Sequence, residues 1–247
     1  MIDETRLARI TQTLLEFTPT VPSSSLFPTL VPEAAPLIEI DPYAFLIAVC
    51  LDRGTKAQVI WTIPYDMKMK LGHLDPQLIY KMSLEELTDL FSQLPRKPRY
   101  VNDAPKTILD LTRFVIEECS GDASLVWEGR RAADVNRILR SIHGVGAGIA
   151  NMGVLLIEKA FDVRFRDLDR TGMDIKPDVH TMRVLYRLGA SDAQTFDAAL
   201  AASRAMNPSF PGGLDGGLWE IGRRWCFASN PNCEDCLLNR DCSKVFD

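Results

Sequence analysis

Ile138-Leu-Arg-Ser-Ile-His-Gly-Val-Gly-Ala-Gly-Ile-Ala-Asn151 joins two helical patterns through His143-Gly144-Val145-Gly146, and a third glycine, Gly148, enters the second pattern. Glycine tolerates positive φ and lets another backbone come close. Amide N–H groups can then converge at a helix start and hold an anion. Such a hairpin suits one DNA phosphate, gripped without reading base sequence. A plain tight turn between two antiparallel helices is the competing reading, and G-V-G alone does not separate the two.

Outward from the hairpin the same periodicity continues. Helical patterns cover 4–16, 43–51, 56–70, 83–94, 103–118, 131–141, 147–160, 178–188, 192–205 and 216–227. Ser83-Leu-Glu-Glu86 reads as a capping box, and Gly189 as a stop after Leu188. Strand signals are weak, so the expected fold is all-α. Residues 19–36 hold Pro19, Pro22, Pro28, Pro32 and Pro36, which predicts an extended strap rather than helix. RFRDLDRTGMDIKP, from Arg164 to Pro177, carries seven charges and reads as irregular: either a solvated insertion or a segment that shapes a pocket or meets DNA.

Charge neither demands nor forbids a nucleic-acid partner. Lys plus Arg number 28 against 33 Asp plus Glu, for a formal charge of −5, so no whole-chain basic signature exists. Local basic stretches such as Arg96-Lys97-Pro98-Arg99 and Arg130-Arg131 act over about a Debye length, roughly 8–10 Å. No apolar run approaches the roughly 18 residues that span a bilayer. The opening MIDETRLARI lacks a signal-like apolar stretch, and a cytoplasmic protein is expected.

Four of the six cysteines crowd into the last 22 residues as C-x6-C-x2-C-x5-C: Cys226, Cys233, Cys236 and Cys242. In an intracellular chain such a cluster reads as a metal site rather than a disulfide frame. Four thiolates suit zinc or an iron–sulfur cluster, and spacing does not separate them. Cys50 and Cys119 sit in apolar helical patterns and read as small core residues.

Hairpin, a downstream Pro177-Asp-Val-His-Thr-Met-Arg-Val184 and the cysteine loop follow one another in an order that resembles the helix-hairpin-helix DNA glycosylases of the endonuclease III type. The relatives' L-P-G-V-G-x-K-T-A lies over Ile142 to Ala150, their V-D-T-H-x-x-R-V over Pro177 to Val184, and the four-cysteine spacing matches residue for residue. Gly222-Arg223 precedes the cysteines as in the family, and Pro42-Tyr-Ala-Phe-Leu-Ile-Ala-Val49 resembles its P-F/Y-x-x-L-I-A-V helix. The likeness covers about residues 40–247.

The resemblance implies two helical lobes around a DNA-binding groove, a [4Fe–4S] cluster on Cys226, Cys233, Cys236 and Cys242, and Asp178 as the catalytic carboxylate. Cleaving an N-glycosidic bond builds positive charge on the sugar, which a fixed carboxylate stabilises while it orients or deprotonates water. Plain N-capping of helix 178–188 is the structural alternative for the same aspartate. The expected DNA contacts are Gly144, Val145, Gly146, Gly148, Arg53 and His180. The expected partner is double-stranded DNA containing a damaged or mismatched base, met by a monomer.

Departures refine the expectation. Gly148 stands where bifunctional relatives carry the lysine that forms a Schiff base with the sugar and permits strand cleavage. A monofunctional enzyme that leaves an abasic site is therefore expected, with Lys176 and Lys159 as conceivable substitutes. On the lesion-side helix Leu51-Asp-Arg-Gly-Thr55 replaces a segment where relatives place glutamine in the gap left by the flipped nucleotide; Arg53 or Gln58 is the candidate filler. Val49 stands where the adenine-specific branch carries glutamate, which disfavours adenine-mismatch activity. The expected organisation is an N-terminal helix and strap over 1–40, a central lobe over 41–160 with the hairpin at 136–160, and a second lobe over 161–247 that takes in N-terminal residues and carries the cluster loop 226–242. A non-catalytic lesion-binding iron–sulfur protein on the same scaffold is the alternative.

Overall fold

The structure, a computed structural model, describes residues 3–246, with only the backbone at Ser23. The helices in chain order are α1 (Glu4–Phe17), α2 (Ser23–Leu26), α3 (Ala34–Ile40), α4 (Pro42–Leu51), α5 (Ala57–Ile60), α6 (Ile63–Leu71), α7 (Pro76–Tyr80), α8 (Leu84–Gln93), α9 (Ala104–Cys119), α10 (Ala132–Ser141), α11 (Ala147–Ala160), α12 (Val179–Leu188), α13 (Phe196–Met206) and α14 (Asp215–Arg224). No strand occurs among the described residues, and the fold is all-α. Among the described residues no single helix is long and apolar enough to cross a membrane.

The chain divides into two compact units. One is Phe27–Leu168; the other takes the chain up to Leu26 together with everything from Asp169 onward. The first is built around α4, whose residues Tyr43 to Leu51 are all buried. Asp41 starts that helix: its Oδ1 accepts from the N–H groups of Tyr43 at 2.9 Å and Ala44 at 3.2 Å, and Pro42 needs no partner at the first helical position. Phe45 gathers Phe27, Trp61, Trp127 and Phe161 around it, with ring centroids 5.1–6.4 Å apart. Burying each such ring contributes about 1.5–3 kcal/mol. Cys50 and Cys119 are buried in this unit, and burial pushes the Cys50 thiol up to about 12.

The second unit packs α1, α12, α13 and α14 around Ile10, Leu14, Leu185, Leu188, Leu214, Leu218 and Ile221. Gly222 lets α14 approach the start of α12: a Cβ there would stand 2.7 Å from His180 Cβ and 3.0 Å from its Cα.

Two local expectations are corrected, and a segment with two open readings gains a description. The helix expected over 56–70 is two helices, α5 and α6, broken at Trp61-Thr62, because Pro64 cannot donate a backbone hydrogen bond and starts a helix instead. Thr62 fills the break, its Oγ1 donating to Gln58 O at 2.7 Å and accepting from Leu30 N at 2.8 Å. The 19–36 strap is not extended throughout. It contains a 3-10 turn at Thr18–Thr20, then α2, then the start of α3, each with proline at or just before its first turn, where no N–H is required. The segment 164–177 is anchored rather than merely solvated. Phe165, Met173 and Ile175 are buried, and Asp167 Oδ1 accepts from Ala132 N at 3.2 Å at the start of α10.

Candidate nucleic-acid interface and thiol pocket

The hairpin lies in the Phe27–Leu168 unit. Its turn is Ile142 to Gly146, with Gly144 at φ +78°, a conformation that L side chains avoid. Val145 N donates to Ile142 O at 3.0 Å, and Val145 is buried beneath the turn. Gly146 is the N-cap of α11 and supplies no side-chain capping bond. The first N–H groups of α11 therefore have no cap of their own, and the backbone at Gly146 and Gly148 is open, with nothing within 4 Å of either Cβ position. Open glycines over an uncapped helix start make an anion site accessible to a ligand as bulky as a DNA strand.

Side chains from elsewhere in this unit fix the turn. Arg53, after α4, donates through Nη1 to Gly144 O at 2.5 Å and through Nη2 to Thr107 Oγ1 at 3.3 Å. Thr107 in turn donates to His143 O at 2.9 Å, and His143 N donates to Asp110 Oδ2 at 3.1 Å. The Arg53 guanidinium also lies 5.4 Å from the centre of the half-exposed Tyr100 ring. Arg53 is thus committed to the hairpin. Thr107 and Asp110 went unnoticed in the sequence because a threonine and an aspartate inside a helical pattern carry no signal of what they support.

Asp178 lies in the other unit, half-buried at the N-cap of α12. Its Oδ1 accepts from His180 N at 2.8 Å and Thr181 N at 2.9 Å, while its own N–H donates to Thr181 Oγ1 at 2.8 Å. The capping role is therefore present, and it occupies one carboxylate oxygen. Oδ2 has no hydrogen-bond partner among the described residues, so the carboxylate is held in place with one oxygen available. The exposed Val179 follows it.

His180, Arg183 and Cys226 are brought together behind the acid. Arg183 is buried and fully used: Nε donates to Cys226 O at 2.7 Å, Nη1 to Val179 O at 2.9 Å, and Nη2 to both Gly222 O at 2.9 Å and His180 Nδ1 at 3.1 Å. Since a guanidinium only donates, Nδ1 is the acceptor and the ring proton sits on Nε2. Of the two lysines considered as substitutes, Lys159 ends α11, where burial draws its ammonium pKa down. Lys176 donates its backbone N–H to Asp215 Oδ1 at 2.8 Å.

Cys226, Cys233, Cys236 and Cys242 line one pocket together with Val184, Leu188, Ile221 and Trp225. None is in a disulfide, and all four are half-buried. Burial, with the neighbouring thiols adding to it, pushes the Cys236 and Cys242 thiols up. A cation in the pocket would reverse that preference, since a coordinating thiol gives up its proton. Among the described residues no three His, Cys, Asp or Glu side chains converge as a single metal ion requires. Four unbridged thiols around one apolar pocket are a donor set that either zinc or an iron–sulfur cluster accepts.

The chain matches no family model. It is 26% identical over 205 residues to endonuclease III of Thermotoga maritima, covering 83% of this chain and 84% of that protein. Its fold is similar to that of endonuclease III in a non-covalent DNA complex, at a TM-score of 0.65 and 20% identity over 99% of this chain and 97% of that one. Similar again is endonuclease III in a trapped covalent DNA intermediate, at 0.65 and 19% identity with the same coverage. A thermostable thymine-DNA glycosylase aligns at 0.61 and 20% identity over 97% and 96%. In sequence the chain is similar to an endonuclease III, and in fold to the endonuclease III-like helix-hairpin-helix glycosylases.

Proposed function

We propose that the protein is a DNA N-glycosylase of base excision repair, which takes a damaged or mismatched base out of the duplex and hydrolyses its glycosidic bond to leave an abasic site. The observation that carries this reading is Asp178: a carboxylate fixed through Oδ1 by two backbone N–H groups, with Oδ2 unpaired among the described residues. As the glycosidic bond breaks, positive charge grows on the sugar, and a carboxylate held in place stabilises it without reorganising. Oδ2 is the oxygen that faces this charge or takes a proton from the attacking water. The uncapped start of α11 supports DNA as the partner, because it offers N–H groups to a phosphate and no side chain to a base. The proposed partner is double-stranded DNA, bound by a monomer.

Gly148 supports a monofunctional reaction. Without an amine at that position no imine to the sugar forms there, and water is the nucleophile. Cys226, Cys233, Cys236 and Cys242 are the residues that would hold a [4Fe–4S] cluster. That group would supply a rigid cross-link for the 226–242 loop, and the hydrolysis requires no electron from it.

A second reading has one observation in its favour: capping alone accounts for every hydrogen bond that Asp178 makes. On that reading the protein binds lesions without cutting. Anaerobically purified protein on duplexes carrying uracil, mismatched thymine or adenine, alkylated purines or oxidised bases separates the two. Scission after hot alkali alone is expected; binding without abasic sites on any duplex would favour the second reading.

A further inference from the structure

Arg187 occupies the last turn of α12, where a cation is favoured by the helix dipole and would ordinarily reach the carbonyls of its own helix. It reaches the cysteine loop instead. Nη1 donates to Phe227 O at 2.6 Å and to Cys226 Sγ at 3.5 Å, and Nη2 donates to Ala228 O at 2.9 Å. At its other end, the Arg187 carbonyl accepts from Val245 N at 3.1 Å and from the Cys242 thiol at 3.3 Å. Phe246 lays its ring 5.1 Å from the guanidinium carbon. A single residue of a regular helix thus holds the incoming arm of the loop at 226–228 and the outgoing arm at 242–246.

We propose that Arg187 is the positioning residue that closes the four-thiol pocket and sets how firmly its metal group is retained, a proposal that rests on the iron–sulfur reading above. The loop between Cys226 and Cys242 contains no regular helix, so its two arms are not held by a periodic backbone ladder. A guanidinium suits the task because its planar fork serves two adjacent carbonyls at once, which a lysine cannot do with fixed geometry. The same fork places a positive charge beside the Cys226 sulfur. Hydrogen bonds and charge at a ligating sulfur stabilise the thiolate and raise the cluster's potential. Ligation removes the Cys242 proton and with it that one contact; the Val245, Phe227 and Ala228 bonds do not depend on it. Arg183 differs in kind, since it contacts only the incoming arm, at Cys226 O.

The test compares anaerobically purified wild type, Arg187→Gln and Arg187→Lys. Iron and sulfide per chain, visible charge-transfer absorption, the rate of iron loss to excess ferrous chelator and the midpoint potential are measured, with far-ultraviolet circular dichroism as a fold control. The expected result is a full iron load in wild type, release at least tenfold faster from Arg187→Gln, and intermediate release from Arg187→Lys. The potential is expected to fall in the glutamine variant and recover in the lysine variant, a pattern that simple loosening of the loop would not produce. Release from Arg187→Gln within twofold of a loaded wild type would overturn the proposal. If the glutamine variant does not fold, release from Arg187→Lys at the wild-type rate would overturn it equally. A wild-type chain that takes up no iron under reconstitution would overturn the metal reading itself, and this proposal with it.

Discussion

The guanidinium of Arg53 lies directly over Gly144, with its Nη1 donating to the Gly144 carbonyl at 2.5 Å where any Cβ at position 144 would overlap it. A residue placed to enter DNA would leave its head free, whereas this one is spent on the hairpin. Arg53→Gln should weaken DNA binding about tenfold, the scale of one lost charge-assisted hydrogen bond, and leave single-turnover cleavage at saturating enzyme within a few-fold of wild type. Titration of labelled duplex alongside single-turnover kinetics checks this; a loss confined to the cleavage step would give Arg53 a role at the reacting base instead.

Gly144 and Gly148 should respond in opposite ways. Gly144→Ala forces a side chain onto φ +78° and into the guanidinium, at a cost of about 1–3 kcal/mol for the backbone alone. Gly148 has open space around it and lies in the first turn of a 14-residue helix. Gly148→Lys should therefore fold as well as wild type, and if the hydrolytic reading is right it should gain strand scission and a borohydride-trappable adduct. Thermal unfolding separates the first two expectations, and a trapping gel tests the third.

Gly222→Ala addresses the support behind the acid. The added Cβ would stand 2.7 Å from His180 Cβ and 3.1 Å from its carbonyl oxygen, which must push α14 away from the start of α12. A cost of about 1–3 kcal/mol in stability is expected, together with a drop in turnover larger than the drop in DNA affinity, because Asp178 takes its orientation from that helix start. Equal losses in both would show that the change unfolds the unit rather than misplacing the carboxylate.

How much of this was legible in the sequence differs by feature. The hairpin, the capping box at Ser83, the four cysteines and the Asp178 cap are local, written in residues close together in the chain. Helix α4 was legible because an unbroken apolar run announces burial on all sides. The Thr62 break was missed because its partner, Leu30 N, lies 32 residues away. For the same reason Arg53 read as a DNA contact and a filler of the gap, since nothing near it in sequence points to Gly144, 91 residues on. Arg183 was visible only as the arginine of a motif and Arg187 only as a basic residue on a helix, and their partners in the cysteine loop lie about 40 residues downstream. The packing of 164–177 was hidden by its charge: Phe165, Met173 and Ile175 hold it down between seven charged neighbours.

Acid should loosen the start of α10. Burial works to raise the Asp167 pKa, but the Ala132 N–H and the Arg131 guanidinium outweigh it, so the carboxyl titrates below its ordinary value. A depressed carboxylate pKa contributes stability that is full above the unfolded value, about 3.9, and is lost as pH falls through the lower folded value. Hydrogen exchange at residues 132–135 in wild type should thus hold down to about pH 4 and quicken below it. Asp167→Asn should already show the faster exchange at neutral pH; identical protection at both pH values would remove Asp167 from the account.

The central claim concerns the free oxygen of Asp178, and the direct measurement is single-turnover base release by wild type and Asp178→Asn on whichever duplex the wild type cleaves. Asparagine caps a helix as well as aspartate, so the fold and the DNA affinity should be kept. The account predicts base release slowed by at least a hundredfold, with the dissociation constant for the same duplex within about threefold of wild type. Base release at the wild-type rate from a well-folded Asp178→Asn protein would contradict it and leave Asp178 as a helix cap alone.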